Sequence, residues 1–203
     1  MIYLIITTCL NSKYGKQSQE HRKLYYIKAI TKALEYSKNL PIKRIIVENN
    51  GKRETFLDQF SNEADIVYTD NNSVPTSNKA QNEYLDIKEI IQKYQIQDDE
   101  TIIKLTGRYI LTNGGFFRYT VNNNFDASLK FYNICTLTFC RNDCLLGLYA
   151  IKAKYFKDFK YEFKKSPEIE FATYVKNNIY NLRQVQYLSL MYCLAENCIE
   201  ILV

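Results

Sequence analysis

The sequence predicts an α/β fold in which a mostly parallel central sheet is flanked by helices, within a single domain spanning 1–203. Three observations carry this. Four apolar runs, Tyr3 to Ile6, Arg44 to Val47, Asp65 to Tyr68 and Thr101 to Leu105, have strand length and each stops on a polar cluster. Segments with helical spacing lie between them, and alternating strand and helix closes a parallel sheet through right-handed crossovers. No repeat, proline-rich linker or low-complexity tract divides the chain.

Taken in order, the first run ends in Thr7-Thr8. A helix follows from Ser18 to Lys38, with Leu24, Ile27, Ile30 and Leu34 at helical steps, and ends near Asn39-Leu40-Pro41. The second strand ends in Glu48-Asn49-Asn50 and the third in Thr69-Asp70-Asn71-Asn72. Asn78 with Gln81 resembles a capping box, and Tyr84, Ile87, Ile91 and Tyr94 trace one face of a second long helix. Asp98-Asp99-Glu100 precedes the fourth strand and reads as a solvated turn at the opposite end of the sheet. The fourth strand ends in Thr106-Gly107-Arg108.

Beyond residue 110 the signals thin and strand direction stays open. Asn113-Gly114-Gly115 and Asn122-Asn123-Asn124 are turn signals, leaving Phe116 to Val121 as a short strand or ordered loop. Lys130 to Cys140 and Leu145 to Ile151 read as strands, and Lys152 to Phe159 as a basic amphipathic stretch. Ser166 as cap, Pro167 in the first turn and Glu168 beside it start a third helix ahead of Phe171, Tyr174 and Val175.

Composition narrows the chemistry. With 203 residues and 46% hydrophobic content the chain can fill a sizeable core. No stretch approaches the roughly 18 apolar residues of a membrane span. Six cysteines without a CxxC pair and the lone His21, on a polar helical face, argue for reduced thiols, no zinc site and a cytoplasmic protein. The +5 charge comes from lysines in many segments and favours anionic ligands only weakly. There is no Walker loop, no GxGxxG after the first strand and no GxSxG elbow.

In a parallel sheet, ligands sit beyond the carboxyl ends of the strands. The four polar stops therefore form the candidate surface. Amides and hydroxyls pair with base edges and ribose, and the Arg108 guanidinium pairs bidentately with phosphate oxygens. The set suits a nucleotide diphosphate, and a nucleotide-linked small molecule fits it best.

Ile5-Ile6-Thr7-Thr8, Ile45 through Gly51, Val67 through Asn72, Asn78-Lys79-Ala80 and Lys104 through Tyr109 appear in an order and spacing that resemble small GT-A type, Rossmann-like glycosyltransferases. Enzymes of this kind serve surface-glycan synthesis in bacteria and large DNA viruses. The resemblance covers residues 1 to about 175, including Leu146 to Ala150 and Ser166 to Glu170. It implies a nucleotide-binding half (1–110), an acceptor-side half (111–203), and transfer of a sugar from a nucleotide-diphosphate donor, UDP being the commonest carrier, to a hydroxyl of a glycan or glycoprotein. Carried over, Thr7, Thr8 and Cys9 wall the base pocket, Glu48 or Asn49 meets base or ribose, and Asp70 bounds the nucleoside. Asn78 and Lys79 open the helix whose amino end favours phosphate.

The family usually holds Mn or Mg on an Asp-x-Asp after the fourth strand. Here Thr106, Gly107 and Arg108 stand in that place, so Arg108 becomes the candidate counter-charge and any metal ligands are unknown, with Asp70, Asp126 and Asp143 as alternatives. Glu170, Glu168 and Asp143 are the candidate bases if configuration inverts. Glu170 leads because the helix cap does not require it. Bland roles stand beside these: Asp70 as a turn former, Asn78 as a cap, Glu168 at a helix end, Arg108 paired with a surface carboxylate.

Two rival functions remain. A sugar-nucleotide nucleotidyltransferase needs a glycine-rich loop, and Asn11 to Lys16 is poor in glycine. A noncatalytic nucleic-acid module would use the interleaved Tyr and Lys of 152–165, although no nucleic acid is expected; the same stretch could touch an anionic membrane surface or a charged glycan.

Overall fold

A computed structural model describes residues 1–11, 18–73, 79–132, 142–193 and 199–203. The four apolar runs form β1 (Ile2–Thr8), β2 (Ile42–Glu48), β3 (Asp65–Tyr68) and β4 (Thr101–Thr106). Between them lie α1 (Gln19–Ser37), a 3-10 turn over Phe56–Phe60, and α2 (Lys79–Lys93). The remainder adds β5 (Ile110–Leu111), α3 (Gly115–Asn122), β6 (Ala127–Leu129), β7 (Leu148–Lys152), α4 (Ala153–Asp158), α5 (Pro167–Asn178), β8 (Leu182–Gln184), β9 (Leu190–Cys193) and β10 (Glu200–Leu202).

The main sheet has the order β3-β2-β1-β4-β7-β6-β8. Its first four strands are mutually parallel; β7 runs against β4 and β6, and β8 is parallel to β6. β10, β9 and β5 make a small second sheet. Alternation along β1 sends Leu4 and Ile6 into a core with Tyr26, Ile30 and Leu34 of α1, and Tyr3 and Ile5 into a second core with Ile87, Ile90 and Ile91 of α2 and Phe171 and Val175 of α5. A sheet covered on both faces explains why these strands read as near-continuous apolar runs. Strand order reverses at β1, whose two neighbours are β2 and β4, and that switch point sets where a crevice opens.

Local chemistry matches most of the expected starts and stops. Ser18 caps α1 by accepting the His21 amide, and Ser166 caps α5 by accepting that of Ile169. Other expectations need correction. Phe116 to Val121 is helical in α3, because Asn113 Oδ1 accepts the Gly115 amide at 2.8 Å and starts a turn that buries Phe116, Phe117 and Thr120 on one face. Leu24 is 59% exposed; α1 instead buries Tyr26, Ala29, Ile30, Ala33 and Leu34. The later strand starts at Leu148 rather than Leu145. Leu145 donates its amide to the Lys130 carbonyl, and Phe131 bridges Cys144. The expected strand beyond Tyr132, the Asn78 cap, Cys135, Cys140 and Cys198 lie outside the described residues.

Candidate active site at the switch point

A narrow cleft opens at the carboxyl ends of β1, β2 and β4, between the start of α2 and the first turns of α1. The strand ends supply Thr7, Thr8, Cys9, Asn49, Thr106 and Arg108, and the helices supply Arg22, Tyr26, Lys79, Asn82 and Glu83, with Asn72 from the segment after β3.

Close approach of β4 to β1 shapes the floor. The Gly107 amide donates to the Thr7 carbonyl at 2.9 Å, and a Cβ on Gly107 would lie 3.0 Å from that same oxygen and 3.0 Å from Thr8 Cγ2. Glycine permits this contact where any side chain would press on backbone. Beneath it, Lys104 is 2% exposed, donating to Thr106 Oγ1 at 2.5 Å and the Leu146 carbonyl at 2.7 Å and pairing with Glu83 Oε2 at 2.5 Å. The cleft's carboxylate is thus fixed by a lysine from inside the sheet.

Among the described residues, three cations face this floor. Arg22 donates Nη2 to the Cys9 carbonyl at 3.1 Å, and its buried Nε has no hydrogen-bond partner among the described residues. Arg108 donates Nη2 to Tyr109 Oη at 3.1 Å, and its buried Nη1 has none among the described residues. Lys79 comes from the first residue of α2, where the helix dipole adds positive potential. Its ammonium sits below the usual lysine value, first because of the protein around it and then because of Arg108 and Arg22. The Cys9 backbone is clamped by Tyr26 Oη, and burial, then Glu48, push the Cys9 thiol up to about 11, so it stays protonated and acts as a wall.

The remaining expected residues take other positions. Glu48 is fully buried and accepts from Thr8 Oγ1 at 2.6 Å, the Leu10 amide at 3.2 Å, Asn50 Nδ2 at 2.5 Å and Arg53 Nη2 at 3.1 Å. Its carboxylate ties the loops after β1 and β2 together and lies behind the cleft wall. Asn49 donates to Asp86, which also accepts from Thr69 at 2.7 Å and Asn71 at 2.8 Å. Asp70 is exposed and outside the cleft lining. Asp143, Glu168 and Glu170 do not line the cleft either. Asp143 is 2% exposed, and Cys144 Sγ contacts the Glu168 carbonyl at 3.3 Å. Glu170 accepts the backbone amides of Glu162, Phe163, Lys164 and Lys165.

Sequence reasoning missed Arg22, Tyr26, Asn82, Glu83 and Lys104. One signal was available: Lys79, Asn82, Glu83 and Asp86 recur at helical steps and form a polar stripe on α2.

The divalent cation that the resemblance implies finds no fitting donor set among the described residues. Among the described residues no cluster of three or more His, Cys, Asp or Glu is placed to hold a metal. The end of β4 offers a threonine hydroxyl beside a cationic arginine, and among the described residues the one lining carboxylate, Glu83, is paired with Lys104. Hard cations need several carboxylate oxygens.

The chain matches no protein-family model and no curated protein. It is similar in structure to TarS of S. aureus (residues 1–349; TM-score 0.58, 11% identity, 91% of this chain and 57% of that one). It is also similar to a protein from Desulfovibrio desulfuricans assigned as a nucleotide-diphospho-sugar transferase (0.56, 8%, 91% and 79%) and to the galactosyltransferase LgtC (0.51, 7%, 91% and 73%). The chain spans a little over half of the TarS fragment. TarS has been crystallised with UDP, and LgtC with donor and acceptor sugar analogues. The shared architecture is the GT-A type fold.

Proposed function

We propose that this chain, built on the GT-A fold, is a glycosyltransferase that binds a nucleotide-diphosphate sugar in the switch-point cleft and transfers the sugar to a hydroxyl of a glycan or glycoprotein. The carrying observation is the convergence of Arg22, Lys79 and Arg108 on one cleft, with buried guanidinium N–H groups of Arg22 and Arg108 lacking an acceptor among the described residues. Diphosphate oxygens supply such acceptors, in charge-assisted bonds. UDP is the proposed carrier, since TarS binds UDP on the same architecture. Thr7, Thr8, Cys9 and Asn49 wall the nucleoside, while Lys79, Thr106, Gly107 and Arg108 surround the diphosphate; Asn78, which precedes Lys79 in sequence, is proposed alongside it.

In the reaction, the bond between the anomeric carbon and the donor's terminal phosphate oxygen breaks, and the electron pair leaves with the diphosphate. The acceptor oxygen forms the new bond to that carbon, and its proton goes to a carboxylate. Arg22, Lys79 and Arg108 stabilise the charge that develops on the leaving group. Among the expected carboxylates Glu168 is the better base. Glu170 has both oxygens filled by four amides, and Asp143 is buried. Glu168 is half-buried; the Tyr161 phenol, in the small cavity beside the cleft, is raised first by burial and then by Tyr149, Cys144, Glu168 and Glu83.

Calorimetric titration of UDP-sugars tests this. Arg108→Ala should weaken donor binding by about ten- to a hundred-fold, the loss of one or two charge-assisted bonds, and a chelator should leave wild-type binding intact. Unchanged affinity in the variant removes Arg108, and loss of binding with chelator restores a metal. Glu168→Gln should lower turnover while sparing donor affinity; full activity removes it as the base.

A further inference from the structure

Lysine-rich stretches occur in both halves of the chain. Segment 152–165 is one of them, with six lysines against Asp158 and Glu162, a net +4. Lys152 Nζ donates to the Asp99 carbonyl and Lys157 pairs with Asp98, so these two are tied into the body. Lys154, Lys160, Lys164 and Lys165 are exposed. Lys164 pairs with Glu162 at 2.7 Å across the surface. Lys160 and Lys165 have no ion pair among the described residues.

The tip of this segment is built rather than loose. The Glu170 carboxylate accepts the amides of Glu162, Phe163, Lys164 and Lys165 at 2.7–3.1 Å. Burial alone would raise the Glu170 carboxyl; the four amides outweigh it and hold the group ionised below its usual value. Wrapping around this anchor puts Phe163 at φ 55°, a left-handed conformation that phenylalanine adopts only under constraint. Its ring stacks on Tyr161 at 5.2 Å and stays 37% exposed. An aromatic apex ringed by lysines results, beside a shallow groove floored by Phe159 and Tyr174.

We propose that this knuckle, Phe163 flanked by Lys160, Lys164 and Lys165, docks the protein peripherally on a bilayer surface rich in anionic headgroups. The ring reaches the acyl boundary while the ammonium groups meet lipid phosphates. A soluble polyanionic glycan fits less well, because the groove's hydroxyls are engaged: Thr173 donates to the Ile169 carbonyl at 2.7 Å and Tyr174 to that of Tyr155 at 2.9 Å. No helix among the described residues is long and apolar enough to cross a membrane, so the contact is superficial. The surface is separate from the cleft and does not depend on what the cleft binds.

Vesicle flotation of the full chain, using phosphatidylcholine with and without phosphatidylserine, tests the proposal. Binding should require phosphatidylserine and fall steeply with salt. A Lys160→Gln/Lys164→Gln/Lys165→Gln variant should partition about a hundred-fold less, roughly five-fold per lysine. Phe163→Ser alone should weaken binding several-fold with an unchanged circular dichroism spectrum. Equal binding to neutral vesicles, no binding to charged ones, unchanged partition of the triple variant, or preference for a soluble sulfated glycan each overturns it.

Discussion

Replacing Lys104 with methionine is the most informative single perturbation of the site. Methionine fills similar space in β4, so the change isolates the ammonium group. Lost with it are the ion pair to Glu83 and the hydrogen bonds to Thr106 Oγ1 and the Leu146 carbonyl. Removing one partner of a buried pair costs about 3–5 kcal/mol, because the other charge stays behind unpaired. Here Glu83 keeps 30% of its side-chain surface in the cleft, where water reaches it, so the expected loss drops to about 2–3 kcal/mol after that screening. In a chain of this size that lowers the unfolding temperature by roughly 4–12 °C. Urea unfolding of Lys104→Met, Glu83→Gln and the double variant completes the cycle. With Glu83 neutralised, the lysine substitution should cost at least 1 kcal/mol less, on the order seen for contacting pairs. Strict additivity, or a Lys104→Met variant as stable as wild type, refutes the idea that the pair positions Glu83.

Gly107→Ala should destabilise the protein by about 1–3 kcal/mol, the usual range for overpacking, since its Cβ would press on the Thr7 carbonyl 3.0 Å away; unchanged urea midpoints would show that β1 and β4 separate freely. Asp86 supplies a pH dependence. Burial lifts its carboxyl to about 7 from an ordinary 3.8, against the pull of Asn71, Thr69 and Asn49. The folded state then binds a proton in that window that the unfolded chain has released, so this group's stabilisation is fully present below pH 3.8 and is lost as pH rises through 7. Asp86→Asn should flatten the fall in stability between pH 5 and pH 8; an identical slope contradicts the shift.

Much of the amino-terminal half was legible because its information is local. Apolar runs ending at Thr7, Asn49 and Thr106 have strand length, and in a parallel sheet such ends must gather on one side. That is why residues far apart in sequence, from Thr7 to Arg108, line one cleft. Beyond residue 110 the pattern is weaker: α3 is only eight residues long and is started by an Asn113 side-chain bond, a contact that spacing does not announce. Glu170 was legible as a carboxylate in a first turn, yet not as the anchor of the loop before it, since four amides converge on it only once the chain has turned back.

The sequence by itself determined the alternation of strand and helix, the polar strand ends and the missing Asp-x-Asp, because side-chain period and residue chemistry are properties of neighbours along the chain. Only the tertiary structure decided that Arg22 of α1 faces Arg108, that Lys104 reaches Glu83 from inside the sheet, and that β7 runs against β4. Those relations depend on how helices dock and strands order across long separations, where packing of the two cores selects one arrangement from many that the same local pattern permits.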